Sequence, residues 1–392
     1  MGSGFKKILV ITTWFPNNQE PSKCIFNKNI VEAQFKYNDC SITIISPIPH
    51  LPGLKLSFVP KRFKRYINLP YKEITDSYRI FRPKYFKLPG VLSSKIDWIA
   101  YLKAVKRVIK KENIDFDIIH THGLFPDSYV GALVSDIYKK PLVVHLHDSY
   151  IKDIYKKHSK KIDFTFKQAS ALVPVSEFQS KMIQDMSKSD VKGKTAVVYN
   201  GIDISSFSID RDVSESESTK KIIFIGGNYK GKGLDTLLNA ISLIKDKSDL
   251  KLDIYGGKLN DKEFLDLVDA LQIKNNVCFK GVLPNNHLAE LIPTYSFLVL
   301  PSIYETFGIV LIEAMACGLP VISTRITAIP EIVSNEDVGL LVEPNNPKEL
   351  ALAIEKALTK KWDRQYISKF AKKFSIQNQA INIDNVYSKI LQ

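Results

Sequence analysis

Continuous apolar, β-branched runs alternate with helical patterns along almost the whole of this chain, and that alternation limits its fold more than any other feature. In the first half KILVITT, SITIISP, FDIIHTH, PLVVHLH, ALVPVS and AVVYN read as strands. In the second half KIIFIGG, LKLDIYGG, NVCFKG, FLVLPS, PVIST and VGLLVEP do the same. These runs do not alternate polar with apolar, so both faces of each sheet must be covered. Helical stretches at 97–112, 233–245, 261–272, 308–316 and 347–360 separate them. Repeated βα units imply parallel strands joined by right-handed crossovers, so the fold class is α/β with doubly wound sheets.

The pattern pauses once, at the polar segment GIDISSFSIDRDVSESESTKK, and 392 residues exceed one ordinary core. Two Rossmann-like domains are therefore expected, 1–200 and 220–375, joined by a linker at 201–219. The last residues, 376–392, form an amphipathic helix expected to pack back on the first domain. Doubly wound sheets bind ligands at the carboxyl ends of their strands, so the two domains are expected to face a central cleft.

Charge and cysteine content narrow the function. The net charge is +14, and residues 55–111 hold sixteen Lys/Arg against Glu73, Asp76 and Asp97, interleaved with aromatic residues. This stretch fits either a solvated basic surface or an anionic membrane face. It lacks a nucleic-acid-binding motif, so no nucleic acid is expected as partner. The four cysteines have neither disulfide nor zinc-knuckle spacing, which points to a reducing, cytoplasmic location. No run is long and apolar enough to cross a membrane, and the first apolar run has the makeup of a strand rather than of a signal peptide. Any membrane association is expected to be peripheral, at the inner face.

Residues 301–324, PSIYETFGIVLIEAMACGLPVIST, carry the sharpest chemistry. Glu305 falls at a strand tip. Phe307, Gly308 and Ile309 open a helix whose N-terminal N–H groups attract anions, and Glu313 lies about two turns along it. Carboxylates accept hydrogen bonds from sugar hydroxyls, so the pair can hold sugars on either side of a phosphate. FIGGNYKGKGLDTLL is a second strand, loop and helix, whose Gly227, Lys230 and Lys232 suit a pyrophosphate. His120, His122, His145 and His147 form two H-x-H pairs at strand ends. A shared metal, direct substrate contact and packing remain open for them. Asp115 and Asp117 resemble a metal-binding D-x-D but precede their strand, the wrong end for a ligand. Cys24 has no base beside it in sequence that would make it a nucleophile.

The E-x7-E segment and its flanks resemble the family 4 retaining glycosyltransferases of GT-B fold, and the likeness extends over nearly the whole chain through HTHGLFP, VYNGID, GGNYKGKG and VCFKGVL. Teichuronic-acid and capsular-polysaccharide glycosyltransferases are the most similar members. The resemblance implies a metal-independent hexosyltransferase without cofactor that takes a nucleotide-sugar, UDP-linked by family frequency, to a glycan or lipid-pyrophosphate-linked acceptor. It implies that Glu305 and His147 contact the transferred sugar, Glu313 the ribose, Lys232 the diphosphate, and Gly281 and Val282 the base. It places His120, His122 and Asn27 on the acceptor side and leaves His145 structural. Gly227 stands where the family commonly has Arg, and Cys24 near a common glycine, which implies a differently shaped turn. A nucleotide-sugar epimerase, an inactive nucleotide-sugar binder and a metal hydrolase are the alternatives.

Overall fold

The structure, a computed structural model, describes all residues except 1–4, 22, 52–62, 64–65, 88–92, 149, 208–219, 228 and 284–286. The chain divides into two compact units, Met1–Tyr199 with Ile376–Gln392 and Asn200–Ser375. Most of the expected linker, and Lys61, Arg62, Lys64 and Arg65 near the start of the basic stretch, lie outside the described residues.

In unit 1 the strands are β1 (Lys6–Ile11), β2 (Cys40–Ile45), β3 (Ile48–His50), β4 (Lys72–Ile74), β5 (Arg79–Phe81), β6 (Lys84–Phe86), β7 (Ile118–His122), β8 (Leu142–Leu146) and β9 (Ala171–Pro174). Seven form one sheet in the order β4-β5-β2-β1-β7-β8-β9, parallel except for β4, while β3 and β6 pair separately. Successive side chains alternate faces. Leu9, Ile11, Ile119, Val144 and Leu146 pack on one side with Tyr101, Val105, Ile162 and Phe166 from the crossover helices. Ile8, Val10, Ile118 and Val143 pack on the other with Ile30 and Val31.

That second face is completed by the last helix, Ile376–Ile390, through Ile383, Val386 and Tyr387. Buried Lys6 donates to Asp384 at 2.8 Å, and Gln34 Nε2 donates to the Ala380 carbonyl at 3.1 Å. AVVYN departs from expectation. It forms no ladder strand but runs beside β9 through two bonds, Ala196 N–H to Leu172 O and Val198 N–H to Pro174 O. The chain is leaving the sheet here, at the end of unit 1, and does not stay in register long enough to pair.

Unit 2 holds β10 (Lys220–Ile225), β11 (Leu250–Tyr255), β12 (Val277–Gly281), β13 (Phe297–Leu300), β14 (Val321–Thr324) and β15 (Gly339–Val342). They form one parallel sheet in the order β12-β11-β10-β13-β14-β15. Strand order reverses between β10 and β13, registered by Ile222↔Phe297 and Ile223↔Leu298, so the loops after these two strands are neighbours. Among the described residues no helix is long and apolar enough to cross a membrane.

Gly233, at φ +70°, closes the loop after β10, and a Cβ there would lie 1.9 Å from the Pro301 carbonyl oxygen in the loop after β13. Neither the dihedral nor the contact admits a side chain. Gly233→Ala is expected to lower the unfolding free energy of unit 2 by about 3 kcal/mol. Urea denaturation read by circular dichroism measures this, and an unchanged midpoint would contradict the contact.

Candidate active site

The loops at the unit 2 switch point bring together residues 73 positions apart. Lys232 Nζ donates to Glu305 Oε2, with both side chains mostly buried, while Glu305 Oε1 accepts the Thr306 N–H at 3.1 Å. Ile303 N–H donates to the Gly231 carbonyl at 3.1 Å and ties one loop to the other. Hydroxyls of the next strand and its loop hold the segment from behind. Ser323 Oγ donates to Leu300 O and Thr324 Oγ1 to Ser302 O, both at 2.6 Å, and Thr327 Oγ1 donates to Glu305 O. Their spacing matches no phosphate or sugar motif, so the sequence offered no sign of them.

Gly308 (φ +99°) is the N-cap of the helix Ile309–Ala316, and no side chain caps it. The helix therefore presents its positive end beside Glu305. Phe307 is buried edge-on against Phe374, which fixes the entry of the turn. Glu313 is partly buried, and burial pushes its carboxyl up to about 7.

The strand tips on the other side of the switch point also line up. Gly226 N–H donates to Tyr255 O at 2.9 Å and Gly256 N–H to Gly281 O at 2.7 Å. Tyr229 turns inward, and its hydroxyl donates to the Gly256 carbonyl. Gly227 has open space where a side chain would stand. Lys230 faces outward, its ammonium 2.8 Å from Glu263, so Lys232 and not Lys230 lies at the carboxylate. Val282 is 77% exposed beyond the tip of β12.

In unit 1 the four histidines lie on one face of β7 and β8, with His122 directly opposite His145. Their rings pack as a close group, His120–His122 at 4.5 Å, His122–His145 at 5.3 Å and the tilted pair His145–His147 at 4.1 Å between centroids. His120 Nδ1 meets the Tyr387 hydroxyl, His122 Nδ1 lies 3.0 Å from His147 Nε2, and Phe26 packs on His147. Burial lowers His120 to about 3 and holds the other three well below the usual imidazole range. Asn27 is fully buried, its amide donating to the Trp14 carbonyl at 2.5 Å in the loop after β1.

Asp127 accepts the Thr13 N–H at 3.1 Å, the Thr13 hydroxyl at 2.9 Å and the Tyr101 hydroxyl, and Asp148 accepts the Leu124 N–H at 2.8 Å. Burial pushes Asp127 up to about 7 and Asp148 to about 6. Cys24 takes left-handed dihedrals (φ 54°, ψ 32°), the conformation a glycine favours. Burial pushes its thiol up to about 11, far from a nucleophile's value. Asp115 and Asp117 bond Lys7 at the amino end of β7, the side chain at 2.7 Å and the backbone at 2.9 Å.

Paired doubly wound units, with a lysine, a glutamate and an uncapped helix start at the unit 2 switch point, define a glycosyltransferase of GT-B type. Sequence profiles agree. "Glycosyltransferase Family 4" matches residues 60–206 and "Glycosyl transferases group 1" matches 206–374. An uncharacterised glycosyltransferase of Methanocaldococcus jannaschii is 31% identical over 357 residues, covering 87% of this chain and 96% of that protein. The chain belongs to the family 4 glycosyltransferases. A putative teichuronic acid biosynthesis glycosyltransferase of Bacillus subtilis is 26% identical and covers 89% and 88% of the two chains. The crystal structure of Anabaena HepE in complex with UDP has the same fold, with a TM-score of 0.70, 19% identity and coverage of 98% and 100%.

The buried titratable groups make unit 1 sensitive to acid. Unfolded imidazoles bind protons near pH 6.5, and the folded row does not until far lower. Each therefore withdraws stability as pH falls below about 6.5. Asp127 and Asp148 act oppositely, binding protons first in the folded chain and adding stability as pH falls from about 7 towards 4. Four histidines against two carboxylic acids leave the unfolded state binding more protons, so stability falls as pH drops from 6 to 4. Thermal unfolding followed by circular dichroism is expected to show a lower unit 1 midpoint at pH 5 than at pH 7. A higher midpoint at pH 5 would contradict the buried, neutral row.

Proposed function

We propose that this glycosyltransferase moves a hexose from UDP to a hydroxyl of a glycan in surface-polysaccharide synthesis, with retention at the anomeric carbon and without a metal ion in the step. The observation that carries the reading is the Lys232–Glu305 pair beside the uncapped helix start at Ile309. A diphosphate is the ligand that such a cation and helix terminus attract together. Its arrival draws the ammonium onto phosphate oxygen and frees the Glu305 carboxylate for hydroxyls of the sugar. Glu313 is assigned to the ribose. As its carboxyl titrates at about 7, it accepts hydroxyl hydrogen bonds in the ionised form above that value. UDP in the Anabaena structure and the teichuronic-acid relative support the nucleotide and the polysaccharide product.

In the step itself the acceptor oxygen forms a bond to the anomeric carbon on the face from which diphosphate departs. The carbon–phosphate-oxygen bond breaks, and the acceptor proton passes to the departing phosphate oxygen. No side chain need attack. Lys232 and the helix terminus stabilise the charge that gathers on the leaving diphosphate, as preorganised donors do. Open space at Gly227 leaves the diphosphate one cation fewer than an Arg there would supply, which puts more of the charge on Lys232.

Glu305→Ala, Lys232→Ala and His147→Ala are each expected to lower kcat/KM by about 10²–10³, with circular dichroism unchanged. Incubation with UDP-sugars after brief chelation is expected to give slow donor hydrolysis and, with acceptor, product of unchanged anomeric configuration by nuclear magnetic resonance. Normal turnover by Glu305→Ala, inverted product or release of an epimer would sink the reading.

A lipid-pyrophosphate acceptor at an anionic membrane face is the finer part of the proposal. Phe86, Ile96 and Ile99 stand exposed around one groove, whose lining also holds Lys103 and Asp97. Exposed apolar side chains beside a lysine suit a headgroup layer. Ile96→Glu with Ile99→Glu is expected to abolish cosedimentation with phosphatidylglycerol vesicles while leaving transfer to a soluble acceptor intact. Equal sedimentation of variant and parent would remove the membrane from the proposal.

A further inference from the structure

The histidine row of unit 1 leaves an unusual set of groups without hydrogen-bond partners. Among the described residues, His145 is fully buried with neither ring nitrogen hydrogen-bonded, and His120 Nε2 and His122 Nε2 are likewise unpartnered. One nitrogen from each of these three residues lies within 4.8 Å of the other two. We propose that His120, His122 and His145 form a metal site of the zinc class in the interior of unit 1.

The second nitrogens support this assignment. A ligating imidazole must offer a lone pair on one nitrogen and normally donates the N–H of the other. For metal at Nε2 of His120, Nδ1–H donates to the Tyr387 hydroxyl. For metal at Nε2 of His122, Nδ1–H donates to His147 Nε2, 3.0 Å away. Both tautomers that ligation requires are those for which an acceptor is already in place. Register fixes the third ligand, because His122 and His145 are directly paired on adjacent parallel strands and point to one face. Three imidazoles favour zinc over magnesium or calcium, which take oxygen. Zinc–nitrogen bonds of about 2.0–2.1 Å put tetrahedral ligands roughly 3.3 Å apart, so the rings draw inward when the ion binds.

The ion would hold β7 and β8 to each other and, through Tyr387, to the last helix. It takes no part in the proposed transfer step. Its one link to that chemistry is His147, whose Nε2 would be fixed as an acceptor.

Full-length protein produced in zinc-supplemented medium and dialysed is expected to retain about one zinc per chain by plasma mass spectrometry. Adding Zn²⁺ to protein produced in chelator-treated medium is expected to raise its unfolding midpoint. His145→Asn should retain less than about a tenth of the parental zinc, and Tyr387→Phe should bind Zn²⁺ about tenfold more weakly because His120 loses its orienting acceptor. Should His145→Asn fail to fold, Tyr387→Phe and the parental titration decide the matter. No retained zinc together with an unmoved midpoint overturns the proposal, as does equal affinity in Tyr387→Phe. Either result leaves buried waters as the partners of these nitrogens.

Discussion

The parallel pairing of β10 with β13 is the contact from which the candidate site follows. Strand order reverses there, so the two loops leave the sheet side by side with no helix between them. Gly233 lets one loop touch the other at Pro301, and Ile303 bonds across to Gly231. Lys232 meets Glu305 only because these backbones are already in contact. The pair is mostly buried, so each charge needs the other, or a ligand that replaces it.

Unit 1 handles its strand ends differently. Its sheet face is aliphatic along Ile8, Val10, Ile118 and Val143 and turns to imidazole at the carboxyl ends of β7 and β8. Aliphatic side chains would pack there at lower desolvation cost. Four buried histidines, only partly offset by two buried carboxylic acids, lower stability in acid, and a fold keeps such a network where function or a ligand requires it. The loops after β1 and β7 are held by the same kind of chemistry, through Asp127 to Thr13 and Asn27 to Trp14.

Many elements were legible in sequence because their hydrophobic patterns are long. Helices expected at 308–316 and 347–360 are found at Ile309–Ala316 and Pro347–Thr359. AVVYN misled because its composition is that of a strand, while its position at the exit from unit 1 prevents pairing. Lys230 and Lys232 are indistinguishable in GGNYKGKG. The inward turn of Tyr229 and the outward pairing of Lys230 with Glu263 separate them.

The sequence by itself determined the α/β class, the strand and helix order, and the family, because periodicity and the long E-x7-E flank are local properties of the chain. It also marked Glu305, Glu313, Lys232 and the histidines as the residues with chemistry to offer. Only the tertiary structure decided which of them meet. Lys232 and Glu305 come together across 73 residues, and His120 meets Tyr387 across 267. Such contacts depend on strand order and on which face each side chain takes, and these are set by how the whole sheet packs.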